Sequence, residues 1–276
     1  MTNQEFSDTF TTLLNSYNTQ AQFGEQASNR EIVLDEYEKS VLLTQAQDLV
    51  VKSYFDGSLN SQGQGFDDST RRQVDFSSLI TVATLSTSGA SSKFDDRGIM
   101  FKLPLMSATE NTCAVLFVLN EKLDCQVVTN ATGPVFGPVK SYVVVPISYK
   151  EYDREMSKPF AQPLKKQAWR LFQNDSTGFD VDTELIVKQS IADKYKASPV
   201  AVGDIKIVYK MRYVRRPKPI VLEDMPNGLT IDGVSTESQC ELNPILHIDI
   251  LNKAVELAIT TRGGYAVPSK EQPNQR

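Results

Sequence analysis

The chain begins with an apolar residue at every third or fourth position. Phe6, Phe10, Leu13, Leu14 and Tyr17 fall on one helical face, and Thr2 and Glu5 have capping-box spacing, so a helix is predicted over residues 3–17. A polar link, 18–30, leads to a second and longer helical pattern over about 35–55. Its expected apolar stripe is Tyr37, Val41, Leu42, Ala46, Leu49 and Val50, with Asp35 and Glu38 in capping-box positions. Gly57 to Gly65 is a Gly/Ser/Gln-rich break. Residues 66–85 read as a short helix followed by a strand, and 86–93 as a loop.

From Ile99 the helical period gives way to runs of β-branched and aromatic residues. Strands are predicted at Ile99–Lys102, Cys113–Leu119, Cys125–Thr129, Tyr142–Ile147, Leu185–Lys188 and Ile205–Val214. Gly-Pro pairs at 133–134 and 137–138 and Pro146 mark turns and edges. Residues 149–172, broken by Pro159 and Pro163, read as helical or irregular, with a short helix ending near Trp169. Beyond Arg215-Arg216-Pro217-Lys218-Pro219 lie a short strand, Ile220–Leu222, and turn signals at Asn227-Gly228 and Asp232-Gly233. A last helix has Asn243 as N-cap and Pro244 at its first position. Its expected buried face is Ile248, Leu251, Val255, Ala258 and Ile259, with Gly263-Gly264 as its stop and a polar tail, 266–276. The expected class is α+β, with helices near both termini packed on a β-rich middle. The expected regions are a helical 1–60, a β-rich 61–235 with short helices, and a C-terminal helix with polar tail over 236–276.

Composition narrows the function. The 276 residues, 40% hydrophobic and 23% charged, suffice for a real core. A net charge of -5 argues against a general nucleic-acid binder. The sequence has no stretch of about 18 apolar residues and no signal-peptide pattern at its start, so no membrane association is expected. Cys113, Cys125 and Cys240 lack metal-ligand spacing and read as free thiols.

No catalytic constellation emerges. The sole histidine, His247, lies at the start of the last helix without a nucleophile motif beside it and reads as a half-exposed structural residue. The acidic groups Asp67-Asp68, Asp95-Asp96 and Asp180 to Glu184 would have to converge to serve a metal-dependent hydrolase; each reads more simply as a solvated turn. No Walker-type loop is present, and no metal or cofactor is expected. The sharpest charged feature is the corner 215–219. Pro217 and Pro219 stiffen it, so Arg215, Arg216 and Lys218 are candidates for ion pairing with another subunit or DNA, the alternative being a solvated turn. The single tryptophan, Trp169, reads as a core anchor, with a subunit contact as the second possibility.

Several phrases occur together in order. They are Leu34-Asp35-Glu36-Tyr37-Glu38-Lys39-Ser40 with Leu43-Thr44-Gln45-Ala46-Gln47, Pro146-Ile147-Ser148-Tyr149-Lys150-Glu151-Tyr152, and Lys158-Pro159-Phe160 with Trp169-Arg170-Leu171. Tyr213-Val214-Arg215-Arg216-Pro217-Lys218-Pro219-Ile220, Cys240-Glu241-Leu242, Leu246-His247 and Ala254-Val255-Glu256-Leu257-Ala258 follow. Over residues 34–259 this order resembles the virion structural proteins of crAss-like tailed bacteriophages that form stacked neck and tail rings. The resemblance implies a non-enzymatic subunit of a cyclic homo-oligomer, twelve-fold by likeness to tailed-phage connectors. Its partners would be other copies of itself, the portal, other neck and tail rings, and the packaged DNA passing through. It would be made in the host bacterial cytoplasm and end in the virion. An assembly chaperone, a scaffold and a hydrolase using the acidic clusters are the alternatives.

Overall fold

The computed structural model describes residues 1–21, 33–55, 70–87, 94–105, 113–130, 132, 135–158, 162–174, 181–199, 201–226 and 228–262. The break at 57–65, Asp67-Asp68, Asp180, the Gly133-Pro134 turn, Gly263-Gly264 and the tail lie outside them. The fold is α+β, and the chain divides into two compact units, one of Met1–Leu79 with Pro217–Arg276 and one of Ile80–Arg216. The N- and C-terminal segments therefore share a unit.

In the first unit, α1 (Asn3–Ala21) starts with the expected capping box: the Thr2 amide donates to Glu5 Oε2 at 2.8 Å and the Glu5 amide to Thr2 Oγ1 at 3.3 Å. Phe6, Phe10 and Leu14 are buried on one face of α1. The helix α2 (Glu36–Phe55) buries a different face from the expected one. Val41 and Leu42 are only half-buried and Leu49 is exposed, whereas Ser40, Thr44 and Gln47 are buried together with Leu43, Ala46, Val50 and Val51.

The reason is a hydrogen-bonding task. Ser40, Thr44 and Gln47 lie four and three residues apart, on one helical face. Ser40 Oγ accepts the Leu222 amide at 3.1 Å, Thr44 Oγ1 accepts the Ile220 amide at 3.1 Å, and Gln47 Nε2 donates to the Lys218 carbonyl at 2.7 Å. Segment 218–222 thus satisfies its buried backbone on a helix face, where a sheet neighbour would ordinarily serve. The expected strand Ile220–Leu222 is reduced to a single bridge, Val221 to Ser238. Nearby, Asp232 (φ 47°) and Gly233 (φ 78°) form the tight turn that joins Ile231 to Val234; two successive positive φ values are the hairpin signature behind the Asp-Gly signal.

Asn243 caps a 3-10 turn, Pro244–Leu246, by accepting the Ile245 amide at 3.2 Å, and α6 (His247–Arg262) follows. Its buried positions are His247, Ile250, Leu251, Ala254, Val255 and Ala258. Ile248, expected inside, is 50% exposed, because the 3-10 turn rotates the helix and puts His247 in the inward position. The helix packs on α1 and α2, and the Tyr54 hydroxyl donates to Asp249 Oδ2 at 3.1 Å. A short helix, α3 (Thr70–Asp75), and a 3-10 turn, Ser77–Leu79, close the N-terminal part.

The second unit is a sheet. Its strands are β1 (Ile80–Leu85), β2 (Gly98–Lys102), β3 (Val115–Asn130), β4 (Val135–Phe136), β5 (Lys140–Pro146), β6 (Gln167–Asn174), β7 (Val181–Ile186) and β8 (Ile205–Arg215). Their order is β1-β8-β3-β5-β6-β7-β2, with β4 paired to β3. All pairs are antiparallel except β5 with β6, whose crossover is supplied by α4 (Tyr149–Met156). The two ends of the order meet where Thr87 bridges Phe101 and the Lys102 amide donates to the Ser86 carbonyl at 3.0 Å, so the sheet curls into a barrel-like form. A short helix, α5 (Gln189–Ala192), lies between β7 and β8. The interior holds Phe101, Leu123, Leu185, Tyr209 and Met211.

Three expectations are corrected here. Cys113–Leu119 and Cys125–Thr129 belong largely to one long strand, β3; its register with β8 shifts between Val118 and Asn120, and Asn120-Glu121-Lys122 stays paired to β8. Trp169 lies in a strand, β6, rather than near a helix end. Asp182, Thr183 and Glu184 are fully buried in β7 and form no solvated turn.

Candidate functional site

The corner 215–219 sits where the chain leaves one unit and enters the other, at Arg216 and Pro217. Arg215 ends β8 opposite Val115, and the Arg216 amide donates to the Ala114 carbonyl at 2.9 Å. Both arginines are half-buried, while Pro217 and Pro219 are buried. Lys218 is the exposed member. Its backbone is held by Gln47 and by Glu241 Oε2, and its Nζ lies 3.4 Å from Glu241 Oε1. Arg216 also influences Cys113: burial pushes that thiol up, and the guanidinium charge opposes the push. Arg215 and Arg216 thus close the sheet unit, and Lys218 is the exposed cation where the helical unit resumes.

Trp169 lies apart from the corner. It is 9% exposed and packs with Tyr152, Leu171 and Ile186 in a small cluster, with Val145 and Ile147 against it. The structure brings Arg215, Arg216 and Lys218 together by sequence adjacency and does not bring Trp169 to them.

Two buried polar networks hold the sheet unit, and neither was legible as such. In the first, Arg170 on β6 lies 3.4 Å from Glu121 on β3 and stacks over the Phe172 ring at 4.1 Å from its centroid. The Tyr209 hydroxyl on β8 donates to the same carboxylate. Burial raises the Glu121 carboxyl, against the lowering effects of Tyr209 and Arg170, and burial beside Glu121 pushes the Tyr209 phenol up.

In the second, Asp95 is no solvated turn residue. It is held by the Arg97 guanidinium at 2.7 Å and accepts the Tyr152 hydroxyl at 2.7 Å. Burial alone would raise its carboxyl; these partners outweigh burial and hold it at about 2, below the ordinary 3.8. A depressed folded value gives stability that is complete above pH 3.8 and lost as pH falls toward 2. Acid titration followed by circular dichroism is expected to show this loss, and Asp95→Asn is expected to flatten it.

Glu184 completes that network by accepting the Phe94 and Asp95 amides, each at 3.1 Å. Gly98 is required beside it. A methyl there would lie 1.9 Å from Glu184 Oε1 and 2.9 Å from the Asp95 carbonyl. Gly98→Ala is expected to cost about 1–3 kcal/mol by overpacking, read as a lowered urea midpoint. Among the described residues, no group of three or more His, Cys, Asp or Glu side chains could hold a metal ion.

His247 is buried, not half-exposed. Its Nε2 lies 3.1 Å from the Leu242 carbonyl, its Nδ1 3.3 Å from the Met1 amine, and its ring 4.9 Å from that of Phe6. Burial lowers its pKa below 6.5, and the Met1 amine adds to that. The stability it gives is therefore complete above pH 6.5 and declines as pH falls toward its lowered folded value. Thermal melts across that range are expected to show the decline, and His247→Gln to remove it. The three cysteines are free, and burial pushes Cys125 up to about 12 and Cys240 to about 11, so neither is a reactive thiolate near neutrality.

One basic feature went unremarked in the sequence although its signal was there. In Ile205–Arg215 apolar and basic residues alternate, which puts Lys206, Lys210 and Arg212 on the exposed side of β8.

A family model described as phage tail ring protein 3/4 matches residues 1–270. The chain is 39% identical over 259 residues to "Ring protein 4/5" of Bacteroides phage crAss001, covering 92% of this chain and 90% of that protein. It is 33% identical over 264 residues to "Ring protein 3" of the same phage, covering 95% and 96%. The match runs through both units, so the fold described above, with its basic corner and buried networks, is that of a member of the phage tail ring protein 3/4 family.

Proposed function

We propose that this chain is a non-enzymatic subunit of a closed ring in the neck or tail of a crAss-like phage, twelve-fold, stacked with the portal and other rings around the DNA passage. The observation that carries the reading is the family match over nearly the whole chain. A ring needs a heterologous interface that closes on itself, which in turn needs rigid surfaces on each subunit. The buried networks of the sheet unit and the helix-held segment 218–222 supply that rigidity. A net charge of -5 suits a passage through which DNA must slide without sticking.

Within that ring, Arg215, Arg216 and Lys218 are the proposed contacts with a neighbouring subunit, and Trp169 supports the sheet from beneath. Little ordering entropy is lost when a corner fixed by two buried prolines pairs with a partner. Arg215→Glu with Arg216→Glu is expected to abolish incorporation, at about 2 kcal/mol or more per side chain, while circular dichroism stays native. Quantitative mass spectrometry of purified particles tests the whole reading. The expected result is a fixed ratio of this chain to the portal, with several copies per particle. Absence from mature particles, with presence in assembly intermediates, would mark a chaperone or scaffold instead.

A further inference from the structure

The overall charge of -5 hides an uneven division. Residues 80–216 carry 19 Lys and Arg against 14 Asp and Glu, a net +5, and the rest of the chain carries 10 against 20, a net -10. Part of the positive surplus is gathered on one sheet face. Lys210 on β8 stands directly opposite Lys122 on β3, Arg212 lies beside Val82 of β1 and Asn120 of β3, and Lys206 follows at the end of the row over the Phe136 ring. All four cations are exposed. The strands β1, β3, β5 and β8 contain only two acids: Glu121, buried against Arg170, and Asp124, held by Ser141 at 2.7 Å and Lys122 at 3.2 Å.

Two like charges directly opposite each other across a strand pair weaken it; Asp124, paired to Lys122, offsets part of the Lys122–Lys210 cost, and a bound acidic surface would relieve the rest. Among the cations, beside polar Asn120 and Thr84, stand two exposed valines. Val82 is 59% exposed and Val143, opposite Lys122 on β5, is 62% exposed. Valine methyls add nothing to a phosphate backbone, whereas apolar patches rimmed by cations match the make-up of protein interfaces.

We infer that this basic sheet face, Lys122, Lys206, Lys210 and Arg212 with Val82 and Val143, docks on the acidic helical unit of a second copy of the chain. The inference rests on the ring reading and specifies its interface. Opposite charges on the two units of one subunit make a head-to-tail contact attractive and a like-to-like contact repulsive, which is the polarity that a closing heterologous ring needs. The occupant is a second copy because the chain itself carries the complementary charge, in the residues outside 80–216.

The test is zero-length carbodiimide cross-linking of purified particles and of the same chain after dissociation. The expected result is cross-links from Lys122, Lys206 or Lys210 to carboxylates within 1–79 or 217–276 that vanish on dissociation. In parallel, Lys210→Glu with Arg212→Glu is expected to lower incorporation at least ten-fold with native circular dichroism. If particles contain a ring of this chain but these lysines are acetylated as readily as in the dissociated chain, this inference fails and the ring reading stands. If particles contain no such ring, both fail. Cross-links to a different virion protein, or protection only in DNA-filled particles, would assign the face to that partner and overturn the inference.

Discussion

Arg170→Leu is expected to destabilise the sheet unit by about 3–5 kcal/mol, the range for removing one partner of a buried ion pair. The guanidinium side chain is 9% exposed and that of Glu121 5%, so water cannot replace the lost partner. What remains beside the carboxylate is the Tyr209 hydroxyl. The cost is expected to depend on pH. Burial already raises the Glu121 carboxyl, and losing Arg170 removes one of the effects that hold it down. A carboxyl whose folded pKa lies above its unfolded value subtracts stability at high pH and subtracts none once pH falls below the unfolded value. Urea denaturation of Arg170→Leu should therefore show a larger loss at pH 8 than at pH 5. Equal losses at both would mean that Glu121 is not the group left stranded. A second variant, Glu121→Leu with Arg170→Leu, removes both charges and is expected to recover much of the loss.

Val255→Asp is expected to be comparably severe in the helical unit. Val255 is 1% exposed on α6, between the fully buried Leu251 and the buried Ala258. A carboxylate there has no partner on its own helical face and must be buried uncharged or drag water inward, at a cost of several kcal/mol. A melt matching that of the parent chain would mean that α6 does not anchor this unit. Ile248→Asp on the same helix is the control. Ile248 is 50% exposed, so little change is expected.

The contrast between those two isoleucine and valine positions shows where periodicity sufficed. Val255, Leu251 and Ala258 were legible from spacing alone, as were Phe6, Phe10, Leu14, the capping box of Thr2 with Glu5, and Asn243 as an N-cap. Ile248 was misplaced because the 3-10 turn at Pro244 shifts the phase by part of a turn. The α2 face was misjudged for a different reason. Ser40, Thr44 and Gln47 are polar, and the distant segment 218–222 gives each of them a buried partner. Local pattern carries no record of a hydrogen bond made 170 or more residues away.

Buried charge was the other blind spot. Asp182-Thr183-Glu184 and Asp95 look like solvated turn residues because acids rarely enter a core, and only Asp96 is exposed in a turn as expected. Here Asp95 is compensated by Arg97 and Tyr152, and Glu184 by two backbone amides, none of which is visible as a pattern in the chain. The candidate corner fared differently. Arg215, Arg216 and Lys218 were conspicuous in the sequence because two prolines flank them, and proline fixes geometry locally. Lys122, Lys206, Lys210 and Arg212 were not, since their shared face depends on the register of β8 with β3.

The central claim is that many copies of this chain close into a ring. Electron cryomicroscopy of intact particles tests it most directly, with symmetry-imposed and asymmetric maps of the neck and tail compared. The account predicts a closed layer of repeated copies of this fold around a continuous axial channel, with Arg215 and Arg216 at the boundary between neighbours. A map in which the chain occurs only as isolated copies without rotational repetition, or in which no layer accepts the fold, would contradict it.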